Sequence, residues 1–331
     1  MMLPPETAAL VARQCAVATR RQLLEGGVTV SQLRWALGRR WRMLLPRVVL
    51  LEPGLPSTQQ RLVAALLFAG PDSWLGGMTA AAVHELPGCT VAPPIQVLVP
   101  PHRTARAVAW VRVSRSYLLD ERIVTRGPLR LSCRARALVD AAASCPDAAG
   151  ARALVIDAVH QRVVRLDDVA HWVEARSNHG RRVLRQAVAE AAIGAWSVPE
   201  ADLLRLITGS SLLPSPWANP AVHDHHGRRL TTPDLWCDDV ALAVMVHSRR
   251  FHSGVLDWES TVVGDEDLRA AGIEVVAVTP ASVAAEPRLV VARLEAAYRR
   301  AAARPRPVGV VARPQPVWTP SPAASEAAGW S

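Results

Sequence analysis

The sequence contains no lysine: all 38 basic residues are arginine. No side-chain amine is therefore available for acylation or for ubiquitin-like tagging. Five cysteines (Cys15, Cys89, Cys133, Cys145, Cys237) form no CxxC pair and leave an odd one, which indicates neither a disulfide framework nor a zinc site. Long apolar runs are missing too. The longest near the N-terminus, Leu62 to Gly70, falls far short of the roughly 20 residues a membrane helix needs. The opening MMLPPETAALVARQ lacks a basic start followed by an apolar core, so no export signal is expected and the chain is expected in the cytoplasm, away from membranes.

What is present is 331 residues, 50% hydrophobic and 20% charged, enough for two or three domains with ample core. The formal net charge is +9 and the sequence pI about 10.6, which suits a polyanionic partner. The charge is concentrated at the front. Residues 1–56 hold eight arginines (13, 20, 21, 34, 39, 40, 42, 47) against three glutamates (6, 25, 52), so 8 − 3 = +5. Thr19 can cap a helix over Arg20–Glu25, Gly26-Gly27 ends it, and Thr29 or Ser31 starts a second helix over Val30–Leu37. Two short helices around a glycine turn form a helix-turn-helix pattern. Val30, Leu33 and Leu37 share the inner face of the second helix, which turns Gln32, Arg34 and Trp35 outward as candidate base readers, with Ser31 at the helix start. Beyond it, Arg39, Arg40 and Arg42 precede two extended apolar segments, the arrangement of a wing whose arginines sit on phosphates.

The stretch ATRRQLLEGGVTVSQLRWALGRRWRMLLPRVVLLEPG, followed by AALLFAGPDSWLGGMTAAAVHEL, resembles the N-terminal domain of AbiEi-type type IV antitoxins over most of residues 16–87. The resemblance implies a winged helix-turn-helix that binds promoter DNA of its own operon. Arg47-Val48-Val49 stands where that family usually has Gly-Val-Tyr, and losing the glycine removes an easy positive-φ position. The wing is therefore expected to turn differently.

Residues 57–196 form a mixed α/β connecting region. Ser57–Ala69 and Met78–Leu86 have helical spacing, Ile95–Val99 and Trp110–Val113 alternate as strands, Leu129–Leu131 is a third short strand, and four helical segments follow from Arg134. This block resembles the middle region of the same family. His84, Asp140 and Asp157 lie inside apolar helical runs and are expected to be packing, cap or ion-pair residues.

Residues 197–303 carry the densest pattern. A helix at Glu200–Ile207 precedes extended segments at Pro220–His225 and Arg229–Trp236. Val240–Val246 (VALAVMV) is apolar throughout, as suits a strand covered on both faces. A helix over Asp257–Ala271, a strand at Ile273–Val278 and a helix from Ser282 to about Ala303 complete it. SVPEADLLRLI, TTPDLW, VMVHSRRFH and AAGIEVVAVTP resemble the restriction-endonuclease-like (PD-(D/E)XK) superfamily, and more narrowly the domain related to very-short-patch repair endonucleases that commonly ends AbiEi-like proteins in actinobacteria. In that family carboxylates on neighbouring strands hold Mg²⁺, which accepts hard oxygen ligands and keeps much of its water. Glu200 matches the leading helix acid and Asp234 the first strand acid. The next strand normally ends Glu-x-Asp, but Met245 and His247 occupy those positions, on one face of the strand end. Ser248–His252 follows as the family's serine, basic and histidine segment does. There is no lysine for an ExK motif, and Gly264-Asp265 stands where relatives tend to carry Arg-His. The cluster His223, Asp224, His225, His226 has metal-ligating residue types, yet a polar hairpin turn explains it without a ligand.

The expected fold is α+β and multidomain: an N-terminal winged helix-turn-helix (1–56), a mixed connecting region (57–196), a C-terminal three-layer α/β/α restriction-endonuclease-like domain (197–303) and a disordered Pro-rich tail (304–331) in which Trp318 and Trp330 lie. The expected function is DNA binding in a transcriptional-regulator or antitoxin-like role, with double-stranded DNA and a cognate toxin as partners. Glu200 and Asp234 are then vestigial, with no cofactor and no metal. The alternatives are a metal-dependent endonuclease using Mg²⁺ at Glu200, Asp234 and His247 or His252, and a protein-interaction scaffold.

Overall fold

The structure, a computed structural model, describes residues 3–118, 122–176, 180–192, 194, 196–247 and 255–314, with the backbone alone for 255–262. It is a mixed α/β protein that divides into two compact units, residues 1–154 with 167–185, and residues 155–166 with 186–331.

The first unit opens with α1 (Pro5–Arg13), β1 (Val17–Thr19), α2 (Arg20–Glu25), α3 (Val30–Ala36), β2 (Arg42–Leu45) and β3 (Val48–Leu50). The three strands form an antiparallel sheet in the order β1-β3-β2. Both expected caps are made. Thr19 with Gln22 and Thr29 with Gln32 form reciprocal capping boxes, satisfying N–H groups that a short helix cannot pair internally. Val11, Leu23, Val28, Leu33, Ala36 and Trp41 pack against Ala18 and Val49 as the core. Val30 is not inside as expected: it is 40% exposed, because it starts α3 and only Leu33 and Ala36, three apart on one face, meet the sheet. The turn between β2 and β3 is two residues, Pro46-Arg47, and Arg47 has φ +68. Proline followed by a positive φ is the type II pattern. An arginine therefore holds the left-handed corner that glycine adopts freely, at a cost of about 1 kcal/mol, and the expected change of turn does not follow from losing the glycine.

Helix α4 (Thr58–Ala69), capped by Ser57, packs against β1, β2 and β3 and also against a second sheet. That sheet is built from β4 (Trp74–Leu75), β5 (Ile95–Val99), β6 (Arg106–Val108), β7 (Val111–Arg115), β8 (Val124–Arg126) and β9 (Leu129–Leu131), with α5 (Gly77–Val83) between β4 and β5 in the chain. Its order is β6-β7-β5-β4-β9-β8. Because α4 serves both sheets, residue 56 ends no compact unit. Next come α6 (Arg134–Ala143), α7 (Ala148–His160), α8 (Leu166–Ala175) and α9 (Arg181–Ala192), where helical spacing placed them; the expected turn at 177–179 lies outside the described residues. Asp140 pairs with Arg136 (3.0 Å) and with Arg176, and His84 Nε2 meets the Ser132 carbonyl at 2.8 Å, so both are structural as expected.

The second unit contains α10 (Val198–Thr208), β10 (Trp217–Ala218), β11 (Ala221–His223), β12 (Leu235–Cys237), β13 (Leu242–Val246), α11 (Val255–Ala270), β14 (Glu274–Val278), α12 (Pro280–Ala285), α13 (Pro287–Ala302) and β15 (Val311–Arg313). Its main sheet runs β10-β12-β13-β14, with β13 and β14 parallel and the other pairs antiparallel. β13 is central, as its unbroken apolar run requires. One face packs Leu203, Ile207, Leu235, Val244, Val290 and Leu294 together from α10, the sheet and α13. The other packs Val222, Trp236, Met245, Leu268 and Val310.

Three expectations are corrected here. The returning strand Arg229–Trp236 is reduced to a bridge between His223 and Arg229 and to β12, since Pro233 has no N–H for a ladder. The last helix is two helices, because Pro287 cannot continue α12 and instead opens α13. The tail is not disordered from residue 304: β15 pairs antiparallel with β11, Val310 is buried, and Arg306 bonds the Asp238 carbonyl (2.9 Å) and carboxylate (3.0 Å). Trp318 and Trp330 lie outside the described residues. A chain ending at Arg304 is expected to lose about 2 kcal/mol through exposure around Val310. Denaturant melts of the shortened and full chains check this, and tryptic cleavage between Arg304 and Arg313 is expected to be slow.

Candidate functional site

Two places gather the residues singled out in the sequence. The first lies on α3 and the turn after it. Trp41 is buried in the core of the head and Gly38 takes a positive φ of 81°, so the intervening Arg39 and Arg40 are held in a tight turn on the surface. Arg39 donates through Nη1 to the Trp35 carbonyl (2.9 Å), closing the C-terminus of α3. Its guanidinium carbon lies 5.5 Å from the centroid of the Trp35 ring, and that of Arg40 lies 6.0 Å away. Trp35 itself is 49% exposed. Ser31, Gln32, Arg34 and Arg42 are also exposed, but Gln32 Oε1 accepts the Thr29 N–H (2.9 Å) as half of a cap. The structure thus brings Trp35, Arg39 and Arg40 into one cluster and gives Gln32 a structural duty. Trp41, which fixes the turn from below, was not foreseen; a tryptophan between arginines in GRRWR was the available signal.

The second place is the end of β13. Glu200, 7% exposed, has both oxygens engaged: Oε1 accepts from Ser197 Oγ (2.7 Å), and Oε2 from the Trp196 N–H (2.9 Å) and Asn219 Nδ2 (2.9 Å). Asp234 Oδ2 accepts the Val246 N–H at 2.5 Å. Burial, and then the Glu200 charge, push the Asp234 carboxyl up to about 7, with Asp265 adding to the rise and the Val246 N–H opposing it. Met245 packs in the core beside Leu268, while His247 Nε2 meets Asp265 Oδ2 at 3.1 Å. Arg269 approaches the same oxygen (3.4 Å), leaving Asp265 Oδ1 buried without a hydrogen-bond partner among the described residues. His252 and the rest of the Ser248–His252 segment lie outside the described residues.

Asp265 is the member of this group that sequence matching did not assign a role. The buried positions Gly264, Asp265 and Leu268 follow helical spacing, which turns Asp265 toward the sheet. The donor set fits Mg²⁺ poorly. Glu200 is saturated by three donors, Asp234 caps the β12–β13 ladder, and a core thioether and an imidazole stand where hard oxygens are needed. Among the described residues, no three of His, Cys, Asp and Glu are arranged to hold a metal ion. In the other histidine-rich stretch, Asp224 Oδ1 accepts the N–H groups of His226 and Arg228 (2.9 Å each), which makes it the polar turn expected.

No family model matches the chain, and none of the curated proteins does. Among solved structures it is similar to the Rv2827c protein of Mycobacterium tuberculosis, with a TM-score of 0.38 and 15% sequence identity over 57% of this chain and 77% of that one. Among the described residues, no helix is long and apolar enough to cross a membrane.

Proposed function

We propose that the head from α1 to β3 is a winged helix-turn-helix that binds double-stranded DNA, and that the protein is a cytoplasmic transcriptional regulator with an antitoxin-like role. The observation that carries this reading is the exposed Trp35 with the Arg39 and Arg40 guanidiniums beside its ring, next to exposed Arg34 and Arg42. Arginines held around a helix end suit phosphates, and an indole face suits a sugar or a base edge. A cognate toxin is the protein partner this role implies. Retention of duplex DNA by the full chain at several salt concentrations tests the proposal.

On the same proposal, the second unit is a restriction-endonuclease-like fold without its chemistry, in which Glu200 and Asp234 act as structural acids. The hydrogen bonds that occupy them support this over an active endonuclease. Supercoiled plasmid incubated with the protein and Mg²⁺ or Mn²⁺ is expected to stay intact. Metal-dependent nicking that disappears in Asp234→Asn would establish the endonuclease instead.

A further inference from the structure

Within the first unit a cleft of about 670 Å³ opens between the β2–β3 turn, α4 and the β8–β9 hairpin. Its floor is apolar, from Val63, Leu66 and the half-buried Leu67 and Phe68. Four arginines stand around it, Arg21, Arg47, Arg106 and Arg130, and no aspartate or glutamate lines it. Two of the arginines are held in place. The Arg106 guanidinium carbon lies 4.1 Å from the centroid of the Phe68 ring and Arg106 also bonds the Phe68 carbonyl, while Arg130 Nη1 donates to the Pro71 carbonyl at 2.6 Å. Each of these contacts uses a fraction of the five N–H donors a guanidinium carries, leaving the rest for a ligand. Arg47 sits at the positive-φ corner of the turn with no side-chain partner printed by any ion pair or hydrogen bond among the described residues. The acids nearby are turned to other cations: Asp72 pairs with Arg103 at 2.5 Å, and Glu25 faces Arg21 from solvent at 3.8 Å.

We infer that this cleft is a binding site for a small organic anion, one carboxylate, phosphate or sulfonate group on an apolar body. The volume is that of small-molecule sites, which span about 300–1,000 Å³ and place a few polar groups over an apolar lining. The arginines supply charge-assisted bonds to the acidic head and Phe68 with the α4 leucines covers the body. A duplex backbone is convex and polar, and would leave that floor wet and uncovered. The site stands apart from the Trp35 face, so it holds whether or not the head binds DNA.

The probe is 8-anilinonaphthalene-1-sulfonate, whose fluorescence rises on leaving water, titrated onto the full chain. Saturable binding at one site is expected, displaced by octanoate and not by octanol. Arg106→Gln with Arg130→Gln is expected to weaken the probe by about tenfold or more, the loss of one good charged contact per decade. Arg47→Gln alone, at an exposed turn that leaves the core untouched, is expected to weaken it about threefold with an unchanged circular dichroism spectrum. Unchanged affinity in Arg47→Gln and in the folded double variant overturns the inference. So does equal displacement by octanol, which would make the site apolar only, and so does displacement by duplex DNA but not by octanoate, which would place a nucleic-acid backbone there.

Discussion

Replacing Arg39, Arg40 and Arg42 together with alanine is expected to reduce the slope of log K against log salt for duplex DNA by about 2.7, since each phosphate contact contributes about 0.9 through counterion release. The geometry gives the three residues unequal parts. Arg39 also closes α3 through the Trp35 carbonyl, so its loss loosens the helix end as well as removing charge. Arg40 has only the indole beside it among the contacts of this turn, and Arg42 leads β2 in the open. Trp35→Ala separates charge from surface: it is expected to weaken binding at every salt concentration while leaving the slope unchanged. If the triple variant binds like the parent at low salt, the arginine face is not the DNA contact.

The second large effect is on stability at the end of β13. Asp234 keeps its proton up to about pH 7 in the folded protein, against an ordinary value of 3.8. Between those two values the native state binds more protons than the unfolded chain, so stability is full below about 4, falls as pH rises, and has lost this contribution above about 7. The groups that face the carboxyl are Glu200 and Asp265, both of which raise its pKa, and the Val246 N–H, which lowers it; His247 sits against Asp265. A separation of about 3 between the two values sets a ceiling of about 4 kcal/mol, at roughly 1.4 for each. Asp234→Asn keeps an oxygen for the Val246 N–H and removes the charge. It is expected to stabilise the protein by on the order of 2 kcal/mol at pH 8 and to leave it nearly unchanged at pH 4. Denaturant midpoints at the two pH values measure this, and an equal effect at both would show that the buried charge is not what the site costs.

Much of this architecture was legible where a local rule suffices. Thr19, Thr29 and Ser57 announce their helices because a hydroxyl three residues before a glutamine satisfies the first N–H groups. Val240–Val246 declares a central strand because neither of its faces tolerates water. What was missed depends on partners distant in sequence. β1 and β10 have three and two residues and carry no periodicity of their own. β15 lies in a proline-rich stretch that looks structureless until β11 supplies its ladder. The site was half legible for the same reason. Glu200 and Asp234 were found by matching, whereas the donors that occupy Glu200 come from Ser197, Trp196 and Asn219. Asn219 sits on a separate loop at φ +49, which no spacing foretells. Asp265 needed only the inward stripe of its helix, but its pairing with His247 comes from the fold.

The most direct measurement is the salt dependence of duplex DNA binding by the unmodified full chain, followed by anisotropy of a labelled oligonucleotide. Three phosphate contacts from the Arg39, Arg40 and Arg42 turn predict tight binding at low salt and a linear fall with a slope of about −2.7 or steeper. A slope near zero, or no binding at low salt, would contradict the account.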